Sequence, residues 1–155
     1  MIHYLVVFLI SMVPLIELRG AIPYGFGFGL DPFFTYALAI LGNCLPVPFI
    51  LFFIKRILSR MQGSRVAFFR KVATFVVEKG QKNFHKVQKY ATFGLFAFVA
   101  IPLPGTGAWT GALIASLLDM KKRYAFPSIF LGVLTAGIIM ALISGGVLAG
   151  LEWLL

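Results

Sequence analysis

The chain has 155 residues, of which 60% are hydrophobic and 12% charged, and its formal net charge is +9. A mean hydropathy of +0.95 excludes an ordinary water-soluble domain, because a chain of this length cannot bury so much apolar surface. The single cysteine, Cys44, excludes an internal disulfide. The composition predicts an all-α integral membrane protein, since apolar runs of about 20 residues cross a bilayer as helices.

The first apolar stretch, within residues 1–32, is interrupted. The interruptions are Pro14, Glu17, Arg19, Gly20 and Pro23. Because Pro14, Gly20 and Pro23 disfavour a regular helix, we expect a re-entrant hairpin with these three as structural residues of its loop. Residues 2–16 are alternatively long enough to cross a thinned bilayer. No Lys or Arg precedes this stretch and no clear signal-peptide cleavage site follows it. We therefore expect the stretch to be retained rather than removed as a signal peptide.

Glu17 and Arg19 are, apart from tyrosines, the ionisable residues of the predicted hydrocarbon layer. Such residues are costly there and mark functional paths. A carboxyl group away from water can take up a proton near neutral pH, whereas arginine stays charged. We therefore expect Glu17 to bind a proton or coupling ion and Arg19 to bind an anion. A purely structural Glu17–Arg19 ion pair is the alternative.

Residues 33–54 form the first predicted spanning helix. Asn43, Pro46 and Pro48 lie near its middle, and proline removes helical hydrogen bonds and bends a helix. We interpret this break as a structural bend, with a gating hinge as the alternative.

Residues 55–90 carry most of the positive charge. Ten of the 14 Lys and Arg residues lie here, and three more form the cluster at 121–123. The positive-inside rule places both regions in the cytoplasm. Apolar residues at helical spacing predict an amphipathic segment on the membrane surface, with Arg60, Arg65, Arg70 and Lys71 contacting anionic lipid. Nucleic-acid binding is disfavoured because membrane segments tether this region on both sides.

Residues 91–120 leave the cytoplasm and return to it. Their two apolar arms, 91–101 and 108–118, would each be only ~16 Å long as helices, so we expect a second re-entrant hairpin. Its turn contains Pro102, Pro104, Gly105, Thr106 and Gly107. A helix that starts near Ala108 offers free N–H groups to an anion, and Thr106 and Trp109 add a hydroxyl and an indole N–H. Gly111 belongs to a small-residue pattern for close packing.

Residues 124–151 form the second predicted spanning helix, which completes a repeat. At a shift of 88 positions, Pro14-Leu15 matches Pro102-Leu103, Leu30-Asp31 matches Leu118-Asp119, and Tyr36-Ala37 matches Tyr124-Ala125. The charge pattern gives the halves opposite orientation. We thus expect an inverted repeat of a re-entrant helical hairpin plus a transmembrane helix, with a binding site between the interrupted segments.

Catalytic signatures are missing from the sequence. There is no Walker motif, nucleophile elbow, HExxH or kinase pattern, and the two histidines, His3 and His85, lack metal-ligand spacing. We expect no enzyme activity, no cofactor and no metal site.

Two motifs resemble those of a known family. The run from Pro14 to Pro23, with the later run from Ile101 to Gly111, resembles the small multidrug export protein family, which is similar to the DedA/VTT membrane superfamily. The resemblance implies paired re-entrant loops, an inner (cytoplasmic) membrane and a homodimer. It also implies movement of polyprenyl-phosphate lipid carriers that depends on proton motive force. The second loop lacks the arginine that DedA members carry there.

Three functions follow as hypotheses. The first is a secondary transporter or flippase for an anionic lipid phosphate, with Arg19 and the second half-helix as the anion site. The second is a proton-coupled exporter of cationic lipophilic compounds, with Glu17 exchanging protons for cations and phenylalanines contacting the cation. The third is a membrane scaffold that transports nothing and uses its basic segment to bind lipids or partners.

Overall fold

The computed structural model describes residues 1–62, 67, 71, 74, 91–103 and 105–154, and these residues form helices and connecting loops without any strand. The helices are α1 Ile2–Met12, α2 Glu17–Gly27, α3 Pro32–Cys44, α4 Pro46–Gln62, α5 Ala91–Ala100, α6 Ala108–Leu117 and α7 Lys122–Leu154. Most of the predicted basic segment, with Arg65 and Arg70, lies outside the described residues, as does Pro104.

Two helical segments of the described chain are long and apolar enough to cross a membrane, as the sequence predicts. They are Pro32–Ile54, with 23 residues, and Lys122–Val147, with 26. The first joins α3 and α4 through Leu45, whose backbone stays helical. Pro46 and Pro48 have no N–H for the carbonyls of Gly42 and Cys44, which locates the predicted break. Helix α4 then continues past residue 54 to Gln62.

Helices α1, α5 and α6 are short, with 11, 10 and 10 residues. At 1.5 Å per residue each is ~15 Å long, about half of the hydrocarbon thickness. The expectation of an irregular chain around Gly20 and Pro23 is wrong, because both lie inside α2. Burial of Leu18 and Ile22 in the core outweighs the missing proline donor. Pro14 does lie in the loop at 13–16, whereas Gly111 lies in α6.

Helices α1 and α2 form an antiparallel hairpin. Near its open end, His3 Nδ1 is 3.0 Å from the Tyr24 hydroxyl, and the Asp31 N–H donates to the Tyr4 hydroxyl (3.1 Å). The start of α1 therefore lies beside the start of α3.

The two halves end their hairpins with the same backbone hydrogen bonds. In the first half, N–H groups of Phe28, Gly29 and Leu30 donate to the carbonyls of Tyr24, Phe26 and Gly25. In the second half, N–H groups of Leu118, Asp119 and Met120 donate to the carbonyls of Ile114, Ser116 and Ala115. Gly29 and Asp119 both have left-handed backbone, with φ of 65° and 52°. Asp119 is therefore the repeat equivalent of Gly29, at a shift of 90 residues. The match of Asp31 with Asp119, at a shift of 88, is wrong.

A pair of glycines repeats in the same way. Gly42 of α3 packs against the Phe8 carbonyl and Ser11 of α1, and Gly132 of α7 packs against the Phe96 carbonyl and Val99 of α5. Phe96 and Val99 follow their counterparts by 88 positions, whereas Gly132 follows Gly42 by 90. The change from 88 to 90 residues falls between the two short helices of each half, where the second half has the longer loop, 101–107 against 13–16.

The contacts of these glycines show how far along the spanning helices the two loops lie. Gly42 and Gly132 each lie ~15 Å along their spanning helix from its first residue, and each contacts the last turns of the short helix before the loop. At the other end of α4, Lys122 Nζ lies 3.8 Å from the centre of the Phe52 ring. The basic end of α4 and the basic cluster at 121–123 thus share one end of the molecule, and both loops lie near its mid-depth.

Candidate functional site

Glu17 joins the two loops at mid-depth. It is the first residue of α2, its backbone is left-handed with φ of 51°, and only 3% of its surface is exposed. Its carboxylate accepts hydrogen bonds from the N–H groups of Ala108 (3.3 Å) and Trp109 (3.2 Å). These belong to the first turn of α6. Glu17 therefore occupies the helix start that the sequence analysis assigns to an anionic substrate.

The location stabilises a negative charge. The first N–H groups of a helix have no partner within it, and the helix dipole adds positive potential there. Hydrogen bonds from such groups to an ionised carboxylate are stronger than those between neutral groups. The contact joins α2 of the first half to α6 of the second.

Arg19 contacts the second loop rather than Glu17. Its Nη2 donates to the carbonyl oxygen (2.5 Å) and to the hydroxyl (3.0 Å) of Thr106, with a longer contact of 3.4 Å to the Ile101 carbonyl. Within the described chain, the hydrogen bonds of Glu17 go to the start of α6 and those of Arg19 go to the second loop, and none joins the two side chains. The Arg19 Nε is buried and has no hydrogen-bond partner in the described chain.

Gly107 lets Glu17 approach α6. A Cβ atom at this position would overlap the Glu17 carboxylate. The backbone of Gly107 is extended, with φ of −108° and ψ of −167°, a conformation that any residue can adopt. The requirement for glycine is therefore one of space.

Other predicted site residues have structural contacts here. The Trp109 Nε1–H donates to the Met12 carbonyl at the end of α1 (3.1 Å), and the Thr106 hydroxyl donates to the Ile101 carbonyl (2.7 Å). Pro102 is half-buried in the loop, and Gly105 is exposed with φ of 85°. Arg60, at the end of α4, and Lys71 are exposed and distant in sequence from this site.

One pocket collects the polar groups of the site, together with a residue that the sequence analysis missed. Its polar lining is Glu17, Arg19 and Asn43, and its apolar lining is Leu18, Val99, Gly107, Ala108, Val133 and Ala136. Asn43 is interpreted above only as part of a bend, although an amide in the middle of an apolar span is itself a signal of function. The pocket leaves no room for even a water molecule, whereas small-molecule sites enclose roughly 300–1,000 Å³, so it is closed in this conformation.

No group of three potential metal ligands among His, Cys, Asp and Glu occurs in the described residues. The polar chemistry of the pocket is therefore that of one carboxylate, one guanidinium, one amide and the backbone groups of the α6 start.

Two helical segments long and apolar enough to cross a membrane, with a buried carboxylate between short helices, are features of a small helical membrane protein. Residues 17–139 match the family described as "putative small multi-drug export protein", and the chain belongs to this family. Its family and its apolar helices make it a membrane protein with an export or transport function. No curated protein and no solved structure is significantly similar to the chain.

Proposed function

We propose that this protein is a proton-coupled exporter of cationic lipophilic compounds in which Glu17 takes up and releases the proton. One observation carries the proposal: the buried Glu17 carboxylate of one half accepts two hydrogen bonds from the α6 start of the other half. Protonation removes the charge that strengthens this contact. Binding of a proton therefore loosens the two halves and favours a conformation in which the pocket opens.

A cationic substrate suits the same group. Glu17 is the acidic residue of a pocket whose remaining lining is mostly apolar, and a lipophilic cation needs one negative charge and an apolar surface. Proton and cation compete for one carboxylate, which couples inward movement of protons to outward movement of the compound. The family description agrees with this substrate class.

The membrane arrangement in this proposal is an inverted repeat of two re-entrant hairpins, each followed by a spanning helix, with 55–90 and 121–123 in the cytoplasm. It is supported by the short α1, α5 and α6, by the repeated glycine contacts and by loops that meet at mid-depth. Irregular backbone at that depth needs protein around it, and each loop provides partners for the other.

A second candidate is the anionic lipid phosphate, such as a polyprenyl phosphate, moved by a relative of the DedA/VTT proteins. It is favoured by the buried Nε of Arg19, which has no hydrogen-bond partner among the described residues, and by the N–H groups at the α6 start. Those groups would become available to a phosphate once Glu17 is protonated and leaves. We rank it second because Glu17 and Thr106 already engage these donors.

Transport in proteoliposomes tests both candidates. Ethidium is the cationic probe and a fluorescent short-chain polyprenyl phosphate is the anionic one, each with and without a pH gradient. We expect ethidium movement to depend on the gradient and to fall to the level of protein-free vesicles in Glu17→Gln. Ser144→Ala, which removes a buried hydroxyl outside the pocket, is the control variant.

The other outcomes separate the hypotheses. Movement of the phosphate probe alone, lost in Arg19→Gln, would favour the lipid-phosphate transporter. Unchanged ethidium movement in folded Glu17→Gln would contradict the role of Glu17. No movement of either probe by folded wild-type protein would favour a scaffold.

One protomer of 155 residues is small for a pathway that encloses a lipophilic substrate, so the proposal includes a homodimer. Crosslinking in native membranes tests it, and monomer alone at every expression level would contradict it.

A further inference from the structure

The Asn43 side chain is a buried polar group without a structural explanation. It is 1% exposed, and neither its amide oxygen nor its amide nitrogen has a hydrogen-bond partner in the described chain. Buried polar groups are normally paired, and each exception calls for an account. The amide lines the same pocket as Glu17.

The end of α3 brings Asn43 to this position. Asn43 lies in the last turn of α3, two residues before Leu45, which joins α3 to α4. It is also in the part of α3 that contacts α1 through Gly42. At the position that follows Asn43 by 90 residues, the second half has Val133, which lines the same pocket. The polar group is thus supplied from one half of the repeat only.

An amide can serve a carboxyl group in both of its protonation states. The asparagine nitrogen donates to an ionised carboxylate, and after rotation of the amide its oxygen accepts from a protonated carboxyl O–H. The backbone N–H groups of Ala108 and Trp109 can only donate. A protonated Glu17 therefore needs an acceptor that the α6 start does not provide.

We infer that Asn43 is the positioning residue for Glu17 protonation, binding the carboxylate through its amide N–H and the protonated carboxyl through its amide oxygen. The inference deepens the proposed function and rests on the uptake of a proton by Glu17. Arg19 is the other charged group that faces Glu17. The neighbouring residues from α5 and α7 are Val99, Val133 and Ala136, so none of these titrates.

Infrared difference spectroscopy of the purified, reconstituted protein tests the inference without any substrate. The carbonyl stretch of protonated Glu17, identified by its loss in Glu17→Gln, is followed as a function of pH. Leucine has a shape similar to that of asparagine. In Asn43→Leu we expect the titration midpoint of Glu17 to rise by about one pH unit, a tenfold change in proton affinity. The reason is that the amide bond to the ionised carboxylate is charge-assisted and therefore stronger than the bond to the protonated carboxyl, so its loss has the larger effect. The frequency of the band should also move towards that of a carboxyl group with fewer hydrogen bonds.

Ser116→Ala is the matched control, because it removes a buried hydroxyl that does not line the pocket and has no hydrogen-bond partner in the part of the chain that the structure describes. It should leave the midpoint unchanged. If folded Asn43→Leu titrates like wild type, the inference is wrong while the proposed function stands. If wild-type Glu17 shows no protonated band at any pH, the proposed function fails with it.

Should Asn43→Leu not fold, the wild-type protein decides. A protonated Glu17 band shifted by hydrogen bonding, and shifted again when asparagine is isotopically labelled in its amide group, supports the pairing. A band that labelling does not change overturns it.

Discussion

The two loops of this protein each connect a pair of short helices, but their chemistry is different. The first loop and the start of α2 provide charged side chains, Glu17 and Arg19. The second loop and the start of α6 provide backbone groups. The N–H groups of Ala108 and Trp109 bind the carboxylate, and the Thr106 carbonyl binds the guanidinium. The comparison teaches how one buried charge, Glu17, and one partly buried charge, Arg19, can be accommodated in an apolar protein. Each charge is partnered by the main chain of the other half, so neither loop is satisfied alone.

This difference also explains why glycine recurs in one loop and not in the other. Gly107 leaves space for the Glu17 carboxylate, whereas the position 90 residues earlier is Glu17 itself. The Glu17 side chain of the first half thus fills the space that is left by the absence of a side chain at Gly107 in the second half.

The largest expected effect tests whether the glycine contacts of the two halves are equally important for stability. Gly42→Leu and Gly132→Leu should each destabilise the protein by about 3 kcal/mol or more, because the added atoms overlap α1 or α5 in a packed core. Thermal unfolding in detergent measures the loss. Gly146→Leu is the control, since nothing lies within 4 Å of a Cβ atom there. If either of the first two variants is as stable as this control, the repeat packing is not equivalent.

A smaller effect tests the contact between the loops. Gly107→Ala should cost about 2 kcal/mol, because its Cβ displaces the Glu17 carboxylate from the α6 start. It should also impair proton-driven transport, whereas Gly94→Ala, in open space within α5, should be neutral or stabilising by up to about 1 kcal/mol. Thermal unfolding and ethidium transport are measured on both variants. Wild-type behaviour of Gly107→Ala would show that the carboxylate contact is dispensable.

The guanidinium contact gives the next effect. Arg19→Met keeps much of the apolar stem but leaves the Thr106 carbonyl without its donor, at an expected cost of about 1–3 kcal/mol. Thr106→Val removes only the hydroxyl and should cost less, about 1 kcal/mol. The difference in unfolding temperature between the two variants measures the carbonyl contact. Equal losses would mean that the hydroxyl, and not the main chain, holds Arg19.

The smallest effect compares mid-depth with the open end of the first hairpin. Trp109→Phe removes the hydrogen bond to the Met12 carbonyl, and Tyr24→Phe removes the one to His3. We expect about 1 kcal/mol for Trp109→Phe and less for Tyr24→Phe, since water can replace a partner near the surface. Thermal unfolding of both variants checks the order. A larger loss in Tyr24→Phe would contradict the assignment of Trp109 to the drier region.

Several features were predictable because they depend on local composition. The apolar runs and their interruptions give the helical class, both spanning segments and the two short-helix pairs, since length and hydropathy limit what a segment can do in a bilayer. Glu17, Arg19 and the glycine-rich turn at 105–107 stand out because polar and flexible residues are rare in such runs. The repeat was visible in the sequence at a shift of 88 residues. After the second loop, which is longer than the first, the shift is 90 residues.

Other features depend on distances that no local pattern contains. The regular helix through Gly20 and Pro23, the choice of Glu17 as the cap of α6, the engagement of Arg19 by Thr106 and the inclusion of Asn43 in the pocket all arise from contacts between segments far apart in the chain. The sequence by itself determined which segments are helical and which residues bear charge, because those follow from composition and spacing. Only the tertiary structure decided which partner each charge has, because in a low-dielectric interior that choice depends on which backbone groups come within hydrogen-bonding distance.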